Sequence, residues 1–170
     1  MEFKDVIRKR YSCRKFSDRP VEQEKLREVL EAGRLAPTAK NFQEQHVYVV
    51  DSGEGIAKID AVTPCRYGAP AVLAVTYDIC NTFVYPGGKY DSGAEDAAIV
   101  ATHMILAAAD QGLQSCWVNR FDPEEVASAL GLGPNERVLM LMDIGYAAEG
   151  GGPGVNHEKR KPLSETMTML

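Results

Sequence analysis

The amino-acid sequence predicts an α+β domain built on one sheet. Three observations lead there. The chain has 170 residues, 45% of them hydrophobic and 25% charged, which suits one ordinary globular domain with a real core. Hydrophobic periodicity reads in the order α-α-β-α-β-α-β-α-β and then lapses into an aperiodic tail, which is not the strict alternation of a βαβ fold. No G-x-G-x-x-G follows a strand, so a doubly wound dinucleotide site is unsupported.

Phe3, Val6 and Ile7 at helical spacing predict a short first helix over residues 2–9. "RYSCRKF" (10–16) follows. In a helix, Arg10 and Arg14 would share a face and Ser12 would point away; all three converge only if the segment is extended or turning. Ser17-Asp18 reads as a cap and Pro20 as first turn of a second helix, which carries Leu26, Val29 and Leu30 and stops near Leu35 ahead of Pro37. A polar loop, "PTAKNFQEQ", leads into a strand at 46–51, then a weak helix over "EGIAKIDAV". "PAVLAVTYD" (70–78) is apolar almost throughout and is placed at the centre of the sheet. Pro86-Gly87-Gly88 makes a turn inside the next loop.

A long helix runs from about Gly93 to Gln111 and is closed by Gly112. It holds seven alanines between Ala94 and Ala109, together with Ile99, Val100, Met104, Ile105 and Leu106. Apolar residues wrap most of its circumference, so burial on nearly every side is expected, with a second subunit against it. A strand follows at 114–121. Asp122, Pro123 and Glu125 open a helix that ends at Gly131, and the last strand spans 137–146. From residue 147 the chain lacks periodicity and cannot form a core of its own.

The net charge of -5 argues against a general nucleic-acid binder. The N-terminus is charged and lacks an apolar run, and the longest apolar stretch, Ala97 to Ala109, is too short to span a bilayer. The expectation is a cytoplasmic protein with no signal peptide and no membrane partner. Cys13, Cys65, Cys80 and Cys116 are scattered without metal-ligand spacing and are read as reduced thiols. Cys13 lies among arginines, which would lower its pKa and make it reactive if exposed. His46, His103 and His157 lie far apart, and neither H-E-x-x-H nor G-x-S-x-G occurs, so no metal or hydrolytic centre is expected.

The charge is unevenly spread. Residues 1–16 hold six Lys/Arg against two Asp/Glu, and "HEKRK" (157–161) is a second basic run. Two guanidiniums and a hydroxyl at Arg10, Ser12 and Arg14 match a terminal phosphate, because arginine grips two oxygens at once. A cation from the tail would complete a dianion pocket.

The ordered set "RYSCRKF", "LAPTAKNFQEQHVYVV", "AAIVATHMILAAADQGLQSCWV", "DIGY" and "KRKPLSE" resembles the nitroreductase family of flavoproteins over nearly the whole chain. The resemblance implies a mixed, mostly antiparallel sheet packed by helices in an intertwined homodimer. It implies one domain over 1–170, whose extended tail, 147–170, wraps the partner subunit. It also implies FMN, with NADH or NADPH as electron donor and a small nitroaromatic- or quinone-like acceptor, in a ping-pong reaction through flavin N5. By the same similarity, Arg10, Ser12 and Arg14 hold the phosphate and ribityl end, joined by Arg160 and Lys161. Pro37, Thr38, Ala39, Asn41 and Gln43 approach the ring from the partner subunit, and Val118 and Asn119 stand at the N5 edge. The flavin carries the chemistry, so no catalytic side chain is assigned. Arg14 is the candidate for a charge near N1–O2, and Lys58 and Arg66 for the pyrimidine edge. Departures from the family pattern at Glu44-Gln45, Thr102-His103 and Asn119-Arg120 fall on the substrate pocket, with Glu44 beside it. A reductive dehalogenase or ene-type reductase, with Asn81–Ser92 as lid, and a flavin-binding protein of little turnover are the alternatives.

Overall fold

The computed structural model describes residues 2–170. The elements are α1 (Phe3–Lys9), α2 (Gln23–Arg34), a 3-10 turn (Ala39–Asn41), β1 (Gln45–Val50), α3 (Gly53–Val62), β2 (Ala71–Asp78), α4 (Gly93–Asp110), β3 (Gln114–Val118), α5 (Pro123–Leu130), β4 (Glu136–Gly145) and α6 (Leu163–Thr166). The four strands form one sheet in the order β1-β2-β4-β3, and every strand pairing is antiparallel. A parallel bridge, Ser12 to Ser115, adds the residues after α1 to the edge at β3.

β2 sits in the middle because both its faces are apolar. Leu73 and Val75 pack with Val29, Val100, Met104, Met140 and Met142 beneath α2 and α4. Val72 and Ala74 pack with Ile59, Cys116, Val126 and Leu141 beneath α3 and α5. The result is three layers, helices on each side of one sheet, as two apolar sheet faces require.

The local signals act where expected at several ends. Ser52 Oγ accepts from the Gly55 N–H and opens α3, and Asp122 accepts from the Glu124 and Glu125 N–H groups ahead of Pro123. Gly112, at φ 74°, closes α4: its own N–H reaches Ala109 O, and the Leu113 N–H reaches Ala108 O at 2.8 Å.

One expectation is corrected. α2 begins at Gln23, with Glu22 before it, not at Ser17-Asp18. The Ser17 N–H is spent on Tyr146 O at 2.8 Å, which holds that segment against the end of β4 and delays the helix. Within one chain α4 is not wrapped on nearly every side. Ala97, Val100, Ala101, Met104 and Ala108 are buried, whereas Glu95, Ile99, Thr102 and His103 face outward. No helix among the described residues is long and apolar enough to cross a membrane.

Candidate functional site

The two basic runs meet. α1 ends at Lys9, and Arg10 is already extended, at φ -60° and ψ 130°. The Cys13 N–H then bonds Ser115 O at 3.0 Å, and the Phe16 N–H bonds Tyr67 O at 3.1 Å. Extended backbone alternates its side chains. Cys13 is therefore driven into the core, while Arg10, Ser12 and Arg14 turn to the other side.

The tail returns along the same segment. Phe16 bridges Ala147, the Ala148 N–H bonds Lys15 O, Tyr11 Oη donates to Gly151 O at 2.8 Å, and Lys15 Nζ donates to Glu149 O. A tight turn follows, in which the His157 N–H bonds Gly154 O at 2.9 Å and the Arg160 guanidinium donates to His157 O and Lys159 O. His157 sits edge-on to the Tyr11 ring and reaches Arg8 O through Nε2 at 3.3 Å.

Between the two segments lies a cavity of about 450 Å³, with Arg10, Ser12 and Arg14 on one wall and Asn156, His157 and Arg160 on the other. Among the described residues no carboxylate pairs with Arg10, Arg14 or Arg160. Guanidiniums without a carboxylate partner are the donors a dianion requires, and three of them meet at this cavity. Lys161 does not line it and lies 3.9 Å from Glu165. Asn156 and His157 were not expected from sequence to line it, although His157 opens the basic run 157–161 and Asn156 precedes it.

The other expected site residues lie elsewhere on this chain, off the cavity wall. Pro37–Gln43 forms an exposed loop beside the start of α4. Ala39 donates its N–H to both carboxylate oxygens of Asp96, at 3.0 Å each, and Thr38 Oγ1 accepts from the Gln43 N–H. Lys40, Asn41 and Gln43 have φ of 51°, 57° and 54°, a region that non-glycine residues seldom occupy. Asn81 closes the second half by donating to Phe42 O at 3.2 Å. Val118 is buried at the end of β3, and Asn119 Oδ1 accepts from Trp117 Nε1 at 2.7 Å. Lys58 pairs with Glu54 and Arg66 with Asp60, so both candidates for the pyrimidine edge are held by their own acids.

Glu44 does not stand in an open pocket as its sequence position led us to expect. It is turned inward and is 4% exposed. Cys13 is not a reactive thiol either: it is fully buried, and burial outweighs other influences to raise its pKa. Burial likewise pushes Cys116 up to about 11 and the carboxyl of Asp143, which faces Cys116 across β3 and β4, up to about 9. These groups stay protonated at neutral pH, which leaves no thiolate nucleophile among them. Among the described residues no group of three or more His, Cys, Asp or Glu is placed to hold a metal ion.

Comparison with known proteins agrees with this architecture. The family model described as Nitroreductase family matches residues 7–66 and 66–146. A solved nitroreductase family protein from Clostridium difficile is 36% identical, superposes with a TM-score of 0.92, and covers 99% of this chain and 98% of its own. An NADH dehydrogenase of Thermus thermophilus is 28% identical over 188 residues, covering 90% of each chain. A protein from Exiguobacterium sibiricum solved in complex with FMN shares the fold at 21% identity, with a TM-score of 0.86 over 100% of this chain and 98% of its own.

Proposed function

Because the chain belongs to the nitroreductase family, we propose that it is an FMN-dependent oxidoreductase. The observation that carries this reading is the two-walled cationic cavity formed by Arg10, Ser12, Arg14 and Arg160. Its donor set fits a phosphate monoester: planar forks for paired oxygens, one hydroxyl, and no acid to compete. The Exiguobacterium sibiricum relative with FMN bound and the NADH-named relative from Thermus thermophilus support the cofactor and the donor.

In this reading the three arginines neutralise the FMN phosphate and Ser12 donates a hydrogen bond to it. The left-handed loop Pro37–Gln43 and the end of β3 at Val118-Asn119 border the ring. When bound, FMN would supply two-electron redox chemistry at N5 between NADH or NADPH and a small nitroaromatic- or quinone-like acceptor, in separate half-reactions. The protein supplies binding, orientation and charge. No side chain acts as nucleophile.

The working unit is an intertwined homodimer. The outward face of α4 carries Ile99, 38% exposed, and the end of the chain presents Leu163, Met167 and Met169. Such apolar groups find cover in a second copy. The whole chain is one domain, its last residues wrap the partner, and the loop Pro37–Gln43 of one subunit meets the flavin held by the other. The protein acts in the cytoplasm.

Incubation with FMN tests the proposal. A tight yellow complex whose absorbance NADH or NADPH bleaches, and an acceptor such as a quinone restores, is the expected result. A chain that takes up no FMN overturns it, and a flavin complex that neither nucleotide reduces overturns the oxidoreductase reading.

A further inference from the structure

Glu44 is a buried acid with an unexplained oxygen. Its Oε1 accepts from Ser92 Oγ at 3.2 Å, but no N–H or O–H donor reaches Oε2. Another acid lies beside it: the Asp96 carboxyl is within hydrogen-bonding reach and is itself only 4% exposed. Two carboxyl groups can bond only if one keeps its proton. Burial, and then the contact with Asp96, favour the protonated form of Glu44. Glu44 is therefore the donor of the pair.

Asp96 then accepts from two sides, from the Glu44 hydroxyl and from the Ala39 N–H, which reaches both its oxygens at 3.0 Å. Asp96 thus meets a backbone donor at the entrance of a loop whose next residues, Lys40, Asn41 and Gln43, are all left-handed. L-residues hold that conformation only when surrounding contacts impose it. Thr38 and Asn81 brace the loop from within and from its second half; Asp96 ties its first half to α4.

We propose that Asp96 and Glu44 form a positioning pair that sets the pose of the Pro37–Gln43 loop at the flavin, an inference that rests on the functional reading above. Neither residue touches the cofactor. Glu44 keeps Asp96 in place, and Asp96 holds Ala39. This gives the departure at Glu44 a role: it belongs to the support of the loop, not to the wall of the substrate pocket.

Three variants of the full chain test the pair: Glu44→Gln, Glu44→Ala and Asp96→Ala. Glutamine reproduces the protonated acid, since its amide N–H can point at Asp96 while its carbonyl accepts from Ser92. Amide hydrogen exchange at Ala39, read without FMN, reports the clamp directly; the absorption and fluorescence of bound FMN report the loop's pose. Glu44→Gln should leave Ala39 exchange within about twofold of wild type and the flavin spectrum unchanged. Glu44→Ala and Asp96→Ala should speed exchange by about tenfold or more and shift the flavin bands. Should Asp96→Ala not fold, the contrast between the two Glu44 variants decides. Equal protection of Ala39 in every folded variant overturns the clamp, and a Glu44→Gln as disruptive as Glu44→Ala overturns the shared proton. A wild-type chain that takes up no FMN overturns the functional reading and with it any role at the flavin. FMN uptake with unchanged spectra in Glu44→Ala and Asp96→Ala overturns the pair alone.

Discussion

Replacing Arg10 and Arg14 by alanine should weaken FMN binding far more than riboflavin binding. The magnitude follows from the cavity. Arg10 is half-buried, Arg14 is exposed, and no carboxylate among the described residues offsets either. A hydrogen bond to a charged group contributes about 1.5–3 kcal/mol. Solvent screening places Arg14 at the low end, about 1.5 kcal/mol or roughly tenfold in Kd, and Arg10 higher, about 2–3 kcal/mol. The double variant should lose about 4 kcal/mol, close to a thousandfold, or somewhat less because both groups serve one phosphate. Quenching of flavin fluorescence on titration into the protein, at low and at moderate salt, gives Kd for both ligands. Riboflavin lacks the phosphate, so its affinity should barely change, and the gap between the two ligands should narrow as salt rises. An FMN Kd within threefold of wild type in the double variant, or equal losses for FMN and riboflavin, would refute the assignment of the phosphate to this cavity.

Other perturbations probe the frame around it. Asp143 has its pKa raised by burial to about 9, against an ordinary 3.8; an acid so raised stabilises the fold most at low pH and progressively less as pH climbs towards 9. Asp143→Asn should remove that decline, so that denaturant midpoints show the variant exceeding wild type by about 1 kcal/mol or more at pH 8. Gly151→Ala places a Cβ against the backbone oxygens of Lys15 and, at 2.9 Å, Ala148, neither of which can swing aside. It should cost about 1–3 kcal/mol in thermal unfolding and, by displacing the turn that carries Arg160, also weaken FMN binding. Among the four thiols only Cys80 is exposed, so a thiol reagent should modify one cysteine per native chain quickly and the other three only on unfolding.

The strands and the convergence of Arg10, Ser12 and Arg14 on one cavity were readable in the sequence because both depend on local pattern. β2 announces its position by being apolar on both faces, and the R-x-S-x-R spacing converges only on extended backbone, which the structure has. The same alternation could have placed Cys13 in the core, since residues at odd positions must face away from Arg10, Ser12 and Arg14. What stayed hidden depends on contacts remote in sequence. The start of α2 is set by Tyr146, more than a hundred residues away, whose carbonyl takes the Ser17 N–H and whose hydroxyl donates to Glu22. Glu44 reads as a surface residue in a polar loop until Asp96 and Ser92, at the start of α4, are seen to receive it. The buried Asp143 sits in an otherwise apolar run, 138–144, with no cue that it stays neutral.

If the cavity holds a phosphate as proposed, its two walls also set an order of events during synthesis. Arg10, Ser12 and Arg14 leave the ribosome early, whereas Asn156, His157 and Arg160 follow almost 150 residues later. At about 5–20 residues per second, the interval is roughly 10–30 s. Throughout it, a nascent chain presents half an anion site and cannot grip a phosphate from both sides. On that reading cofactor loading is a late step, one that selects chains already translated through residue 160.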